Sequence, residues 1–163
     1  RLAKSPPEYE WIFKPHPVFK DRVLRYKIKT LSEIEAYFAE WEQLGTVYSG
    51  GDYYEMFAGS DYLITDCISF LSEYLPTGKP VIHLRKDKYI EEFNDLLNVI
   101  TDSYYKVYNN DMLLSVFNDV IVNNNDYLRN ERIKNISLLN IIQNKTTGEK
   151  ITEYLEKELW QRG

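Results

Sequence analysis

Short apolar runs alternate with amphipathic stretches along the chain, and this alternation constrains the fold more than any other feature. Residues 10–14 (Glu-Trp-Ile-Phe-Lys), Thr46–Ser49, Tyr62–Thr65, Pro80–Leu84 and Tyr104–Tyr108 read as strands. Each is short, rich in β-branched or aromatic residues, and bounded by proline, glycine or polar residues. Helical stretches follow them: a short one at 18–27, then 31–44, Asp52–Ala58, 69–75 and 89–99. Three more close the chain, at 111–122, about 126–142 and 149–161, separated at Asn123-Asn124-Asn125 by a helix-ending loop. The clearest helix is 31–44, where Leu31, Ile34, Tyr37, Phe38, Trp41 and Leu44 recur at helical spacing. Thr30 followed by Glu33 predicts a capping box at its start, and Gly45 its end. In 89–99, Ile90, Phe93, Leu96 and Leu97 share a face. Strands alternating with helices at this spacing predict an α/β fold: a parallel sheet covered by helices on both faces. Tyr62–Thr65, apolar throughout, suits a central strand, and Tyr104–Tyr108 an edge.

With 163 residues the chain is the size of one domain, able to bury a core without staples. Its net charge of −5 argues against nucleic acid as a partner for the whole chain. A single cysteine, Cys67, rules out an intrachain disulfide and fits a reducing compartment. No apolar run is long enough to span a bilayer, and the first residues lack the apolar core of a signal peptide. The chain starts at Arg1 rather than Met, so it is expected to be cut from something longer. Its 14 tyrosines are unusual; a ring with a polar tip suits a partly wet interface.

In open parallel sheets, ligands bind beyond the carboxyl ends of the strands. Three segments qualify. In Lys14-Pro15-His16-Pro17, two prolines rigidify the turn that aims an imidazole, a group able to bind phosphate or move a proton, and Lys14 adds a cation. A surface turn with a capping histidine is the competing reading. In Tyr48-Ser49-Gly50-Gly51-Asp52, paired glycines permit close approach of backbone to a ligand, or simply make an ordinary turn with an Asp cap. The third is Thr65-Asp66-Cys67-Ile68-Ser69, where a strand runs into a helix. A helix start offers amide donors to a phosphate, Thr65 and Ser69 add hydroxyls, and Glu73 one turn on suits a ribose diol. Asp66 is too close to a bound phosphate to touch it and reads as the helix cap or an orienting group; a purely structural turn would look alike. Cys67 reads as a structural thiol, and His83, inside an apolar strand, as a core residue. Two histidines and one cysteine give no zinc spacing, and there is neither a P-loop nor a G-x-G-x-x-G.

Taken in order, Trp11-Ile-Phe-Lys-Pro-His-Pro17, Glu35-Ala-Tyr-Phe-Ala-Glu-Trp41, Tyr48-Ser-Gly-Gly-Asp-Tyr-Tyr54, Ser60-Asp-Tyr-Leu-Ile-Thr-Asp66, Ser69-Phe-Leu-Ser-Glu-Tyr74 and Thr77-Gly-Lys-Pro-Val-Ile82 resemble the nucleotide-binding half of the CDP-glycerol glycerophosphotransferases, the teichoic acid polymerases and their relatives. The resemblance spans residues 10–87; beyond that only helical character matches. It implies a Rossmann-like three-layer domain forming residues 1–163, the C-terminal half of a GT-B fold whose N-terminal domain this chain lacks. It further implies transfer of glycerol phosphate from CDP-glycerol, without metal or cofactor, to a hydroxyl of a lipid-linked teichoic acid or capsular polymer. That reaction takes place at the cytoplasmic face of the membrane, which the protein would meet peripherally through parts outside this chain. His16 matches the catalytic histidine near the donor phosphates. Ser69 matches a serine facing the pyrophosphate, and Glu73 the acidic residue holding ribose. Lys14, Ser49, Gly50, Gly51, Thr65 and Asp66 complete the expected phosphate and nucleotide site, with His16 and Ser69 meeting one diphosphate. Two departures stand out. Cys67-Ile68-Ser69 replaces a common Tyr-Ser-Ser, and a second catalytic histidine, upstream in the family, is missing, so the piece alone is expected to bind weakly and catalyse nothing. A UDP- or GDP-sugar glycosyltransferase or epimerase of the same fold, and a non-catalytic regulatory α/β module, are the alternatives; the latter would want acidic residues where Lys14 and His16 stand.

Overall fold

The computed structural model describes residues 9–86, 94–137 and 146–160. Its elements follow the order β1 (Ile12–Phe13), α1 (Phe19–Arg25), α2 (Leu31–Leu44), β2 (Thr46–Val47), α3 (Tyr54–Gly59), β3 (Leu63–Thr65), α4 (Ile68–Glu73), β4 (Val81–Leu84), α5 (Asp95–Asp102), β5 (Tyr105–Val107), α6 (Asn110–Val116), α7 (Arg129–Ile136) and α8 (Thr147–Trp160). All strand pairings are parallel, as the alternation requires, in an α/β fold of the Rossmann-like kind. They form two sheets, β1-β2 and β3-β4-β5, rather than one continuous ladder. The chain divides into two compact units, Arg1–Met56 and Phe57–Gly163, taken here one at a time.

In the first unit, α2 starts where the capping box places it. The Thr30 hydroxyl accepts from the Glu33 amide, and the Glu33 carboxylate accepts from the Thr30 amide at 2.8 Å. These bonds hold the Glu33 carboxyl down at about 2. Aromatic rings make the core: Phe13 stacks on Trp41 with centroids 4.8 Å apart, and Tyr37, Phe38 and Phe19 pack around it. Such ring pairs contribute beyond their buried area. Many of the aromatics therefore serve ring-on-ring packing, while Tyr26, Tyr54, Tyr127 and Tyr154 stay exposed.

In the second unit the middle strand is β4, not β3 as its apolar run suggested. Val81, Ile82 and His83 are wholly buried, whereas Leu63 and Ile64 at the sheet edge are half-buried. Apolar character reports burial of faces, and an edge strand under helices shares it. Residues 87–93 and 138–145 lie outside the described residues, so Ile90, Phe93 and the end of the 126–142 helix do too. The Asn94 side chain accepts from the Leu97 amide at 2.9 Å and starts α5 at Asp95, leaving Leu96 exposed. The 111–122 stretch is two segments: α6, capped by Asn109, then a π-helical turn at Phe117–Val122.

The amino ends of β4 and β5 are held by Arg132, a wholly buried residue of α7. Its guanidinium donates to the Gly78 and Ser103 carbonyls, both at 3.3 Å, and pairs with Asp126. Tyr105 closes the cluster: its hydroxyl donates to Asp126 at 2.7 Å and accepts from the Leu128 amide. Gly78 is left-handed (φ 67°), a conformation that favours glycine, and a Cβ there would also push on the tip of the Ile133 side chain at 2.9 Å. Arg132→Ala removes one partner of a buried pair and strands the Gly78 and Ser103 carbonyls. It is expected to cost about 3–5 kcal/mol, read as a lower urea midpoint, with Arg132→Met losing less.

Candidate functional site

The first group of predicted residues stands at the carboxyl ends of β1 and β2. Register pairs Phe13 with Val47, so Lys14 and Tyr48 leave the sheet side by side, and the Tyr48 amide donates to the Phe13 carbonyl at 2.8 Å. The Lys14 ammonium donates to the Gly50 carbonyl at 3.1 Å. It lies 5.3 Å from the centroid of the Tyr48 ring and 5.1 Å from that of Tyr53. Lys14 and the glycine loop thus come together. The two glycines differ: a Cβ on Gly50 would strike the Tyr48 ring at 2.8–3.0 Å, whereas Gly51 has open space around it. Gly50 is needed by its own loop, and Gly51 is the position that leaves room for close approach. Ser49 is exposed on the same loop. Asp52 accepts from the Tyr54 amide at 3.1 Å, the expected turn before α3.

His16 is exposed, and its Nδ1 accepts from the Val18 amide at 3.2 Å. With Nδ1 turned to the backbone, Nε2 is the ring nitrogen left to meet a ligand. The His16 carbonyl accepts from the Phe19 amide at 2.8 Å, closing the turn that the two prolines stiffen.

The second group lies after β3. Thr65 is buried, and its hydroxyl accepts from the Cys67 amide at 3.0 Å, bracing the strand-to-helix turn. The N-cap of α4 is Cys67, not Asp66, and the Cys67 side chain makes no capping hydrogen bond. Asp66 is exposed one residue too early to cap. The Ser69 hydroxyl is exposed in that turn, 3.4 Å from Cys67 Sγ, and its carbonyl accepts from Ser72. α4 has only six residues, ending at Glu73, so its field at the amino end is that of a short helix.

Beside this turn, charges of both signs act on the buried His83. Register sets His83 opposite both Thr65 and Lys106. Burial first, then the Arg85 and Lys106 charges, push His83 down to about 4, against a smaller opposing pull from Asp66. His83 is therefore a neutral core residue at physiological pH, as its apolar strand suggested. Sequence reasoning missed Arg85 and Lys106 as neighbours of this end of the sheet, and Tyr48 and Tyr53 as partners of Lys14. The Gly-Gly flanked by aromatics was the available signal for the second pair. Among the described residues no cluster of three or more His, Cys, Asp or Glu is placed to hold a metal ion, and no helix is long and apolar enough to cross a membrane.

Residues 3–157 match the model of the family described as CDP-glycerol:poly(glycerophosphate) glycerophosphotransferase. The chain belongs to that family. The match extends beyond the residues 10–87 that carried the resemblance and takes in most of the C-terminal helices. No curated protein and no solved structure matches the chain. Family membership supports transferase activity of the glycerophosphotransferase type, with a nucleotide-linked donor and a polymer acceptor.

The buried His83 gives a pH test of the sheet. Its folded-state pKa lies below the unfolded value, so the unfolded chain takes up a proton that the folded one refuses. The associated stability is complete above about pH 6.5 and is lost as pH falls toward 4, to the extent of about 2–3 kcal/mol. Urea denaturation at pH 7.5, 5.5 and 4.5 should show this loss, and His83→Gln should remove that part of the slope.

Proposed function

We propose that this chain is the donor-binding part of an enzyme that transfers glycerol phosphate from CDP-glycerol to a hydroxyl of a lipid-linked polymer, of the teichoic acid or capsular kind. The reading places it at the cytoplasmic face of the membrane, reached through parts other than these residues, and makes it a single Rossmann-like domain working beside a second one. The observation that carries the proposal is the family match over residues 3–157. The geometry supports it with an imidazole held by the Val18 amide at His16, a cation at Lys14, and an α4 whose N-cap side chain makes no capping bond.

In this reaction an acceptor hydroxyl oxygen attacks the phosphorus that bears glycerol. The bond from that phosphorus to the bridging oxygen breaks, CMP leaves, and the acceptor proton passes to a base. Positioning and charge neutralisation supply most of the acceleration in such displacements. His16, protonated at Nε2, would donate to a phosphate oxygen, and Lys14 would offset its charge. Ser69 and the α4 amides would hold the diphosphate, with Ser49, Gly51, Thr65 and Asp66 shaping the two turns and Glu73 accepting from the ribose.

His16→Ala in the intact protein is expected to lower turnover with CDP-glycerol by about 10²–10⁴-fold while leaving the thermal transition in place. Unchanged turnover would remove His16 from the mechanism. Calorimetry with CDP-glycerol, UDP-glucose and GDP-mannose tests the donor. Preference for a sugar nucleotide favours a glycosyltransferase, and no binding by the folded protein favours a non-catalytic module.

A further inference from the structure

The partners of Lys14 have a common character. Among the described residues they are one carbonyl, that of Gly50, and two aromatic faces, those of Tyr48 and Tyr53. None is an anion. The ammonium is held in place without being neutralised, which is an uncommon condition for a lysine near a surface. A free lysine gives up much rotamer freedom when it grips a ligand; one already held does not. Aromatic faces attract a cation through the ring quadrupole, yet they leave its charge to act on an incoming anion. The holder is itself fixed. The Tyr48 hydroxyl donates to the Asp52 carbonyl, and its ring lies in the space where a Gly50 Cβ would be.

We infer that Tyr48 and Tyr53 are positioning residues that hold Lys14 as a fixed, un-neutralised cation for the diphosphate of a nucleoside diphosphate donor. The inference rests on the donor-binding reading above and adds to it the device that orients the cation. It predicts that the ring at position 53 sets donor affinity through its π face rather than its hydroxyl, and that it acts only through Lys14.

The test is donor KM and kcat with CDP-glycerol on the intact protein for Tyr53→Phe, Tyr53→Leu, Lys14→Gln and the Tyr53→Leu/Lys14→Gln pair, with thermal melts as the folding control. Tyr53→Phe should stay within about twofold of wild type. Tyr53→Leu should raise KM about three- to tenfold with kcat little changed, the size of a partly desolvated cation–π contact. In the Lys14→Gln background Tyr53→Leu should have no further effect, because the cycle measures the coupling alone. Equal loss in Tyr53→Phe and Tyr53→Leu, or additive effects in the pair, overturns the inference while leaving a Lys14 contact to the donor intact. An unchanged KM in Lys14→Gln overturns the phosphate role of Lys14 itself, and the inference with it. Where Tyr53→Leu does not fold, pentafluorophenylalanine at 53 keeps the ring shape, has no ionisable hydroxyl and removes the attractive π face; wild-type KM for that variant overturns the inference equally.

Discussion

The second unit depends on one buried charge. Arg132 is wholly enclosed, and a guanidinium out of water is tolerated only where its donors are met. They are met by the turn before β4, the turn before β5 and the Asp126 carboxylate, so one side chain of α7 ties together segments distant in sequence. Burial also raises the Tyr105 phenol to about 12, keeping its hydroxyl protonated as the donor that Asp126 requires. A satisfied polar cluster of this kind accepts one arrangement and penalises near misses.

The position of that cluster matters more than its strength. Gly78 and Ser103 precede β4 and β5, so the clamp acts at the amino ends of the sheet. Lys79 does the same for β3, its ammonium donating to the Ala58 and Ser60 carbonyls. Binding the amino edge with side-chain-to-backbone bonds leaves the carboxyl edge to short turns, where Thr65–Ser69 and Arg85 stand. In an open α/β sheet the carboxyl edge is where ligands bind, and here the stabilising side-chain bonds sit at the opposite edge.

What the sequence disclosed was mostly local. The α2 start was legible because a capping box is complete within four residues, and the strands because alternation with helices leaves few other folds. Asp66, read as the helix cap or an orienting group, does not cap α4: Thr65, buried at the end of β3, takes the Cys67 amide, and Cys67 is the N-cap. Gly50 was read for what it admits from outside, whereas its space is taken by Tyr48 two residues away, a contact visible only once the loop curls back. Arg132 was invisible for the opposite reason. A lone arginine on a polar helix reads as solvated, and nothing local reveals that the carbonyls of Gly78 and Ser103 converge on it.

The turn Cys67-Ile68-Ser69 carries a single hydroxyl, that of Ser69. Position 68 is isoleucine, which is exposed and offers no side-chain donor. The Thr65 hydroxyl accepts from the Cys67 amide, and a hydroxyl engaged inside the turn is poorly placed to reach outward. Ser69 is therefore the hydroxyl of this turn best able to meet a phosphate, and backbone amides carry a larger share of any anion binding here than they would beside two serines. Amide donors read charge and shape without regard to the nucleoside attached. Under the donor-binding proposal, discrimination among nucleotide donors would therefore have to come from groups other than this turn.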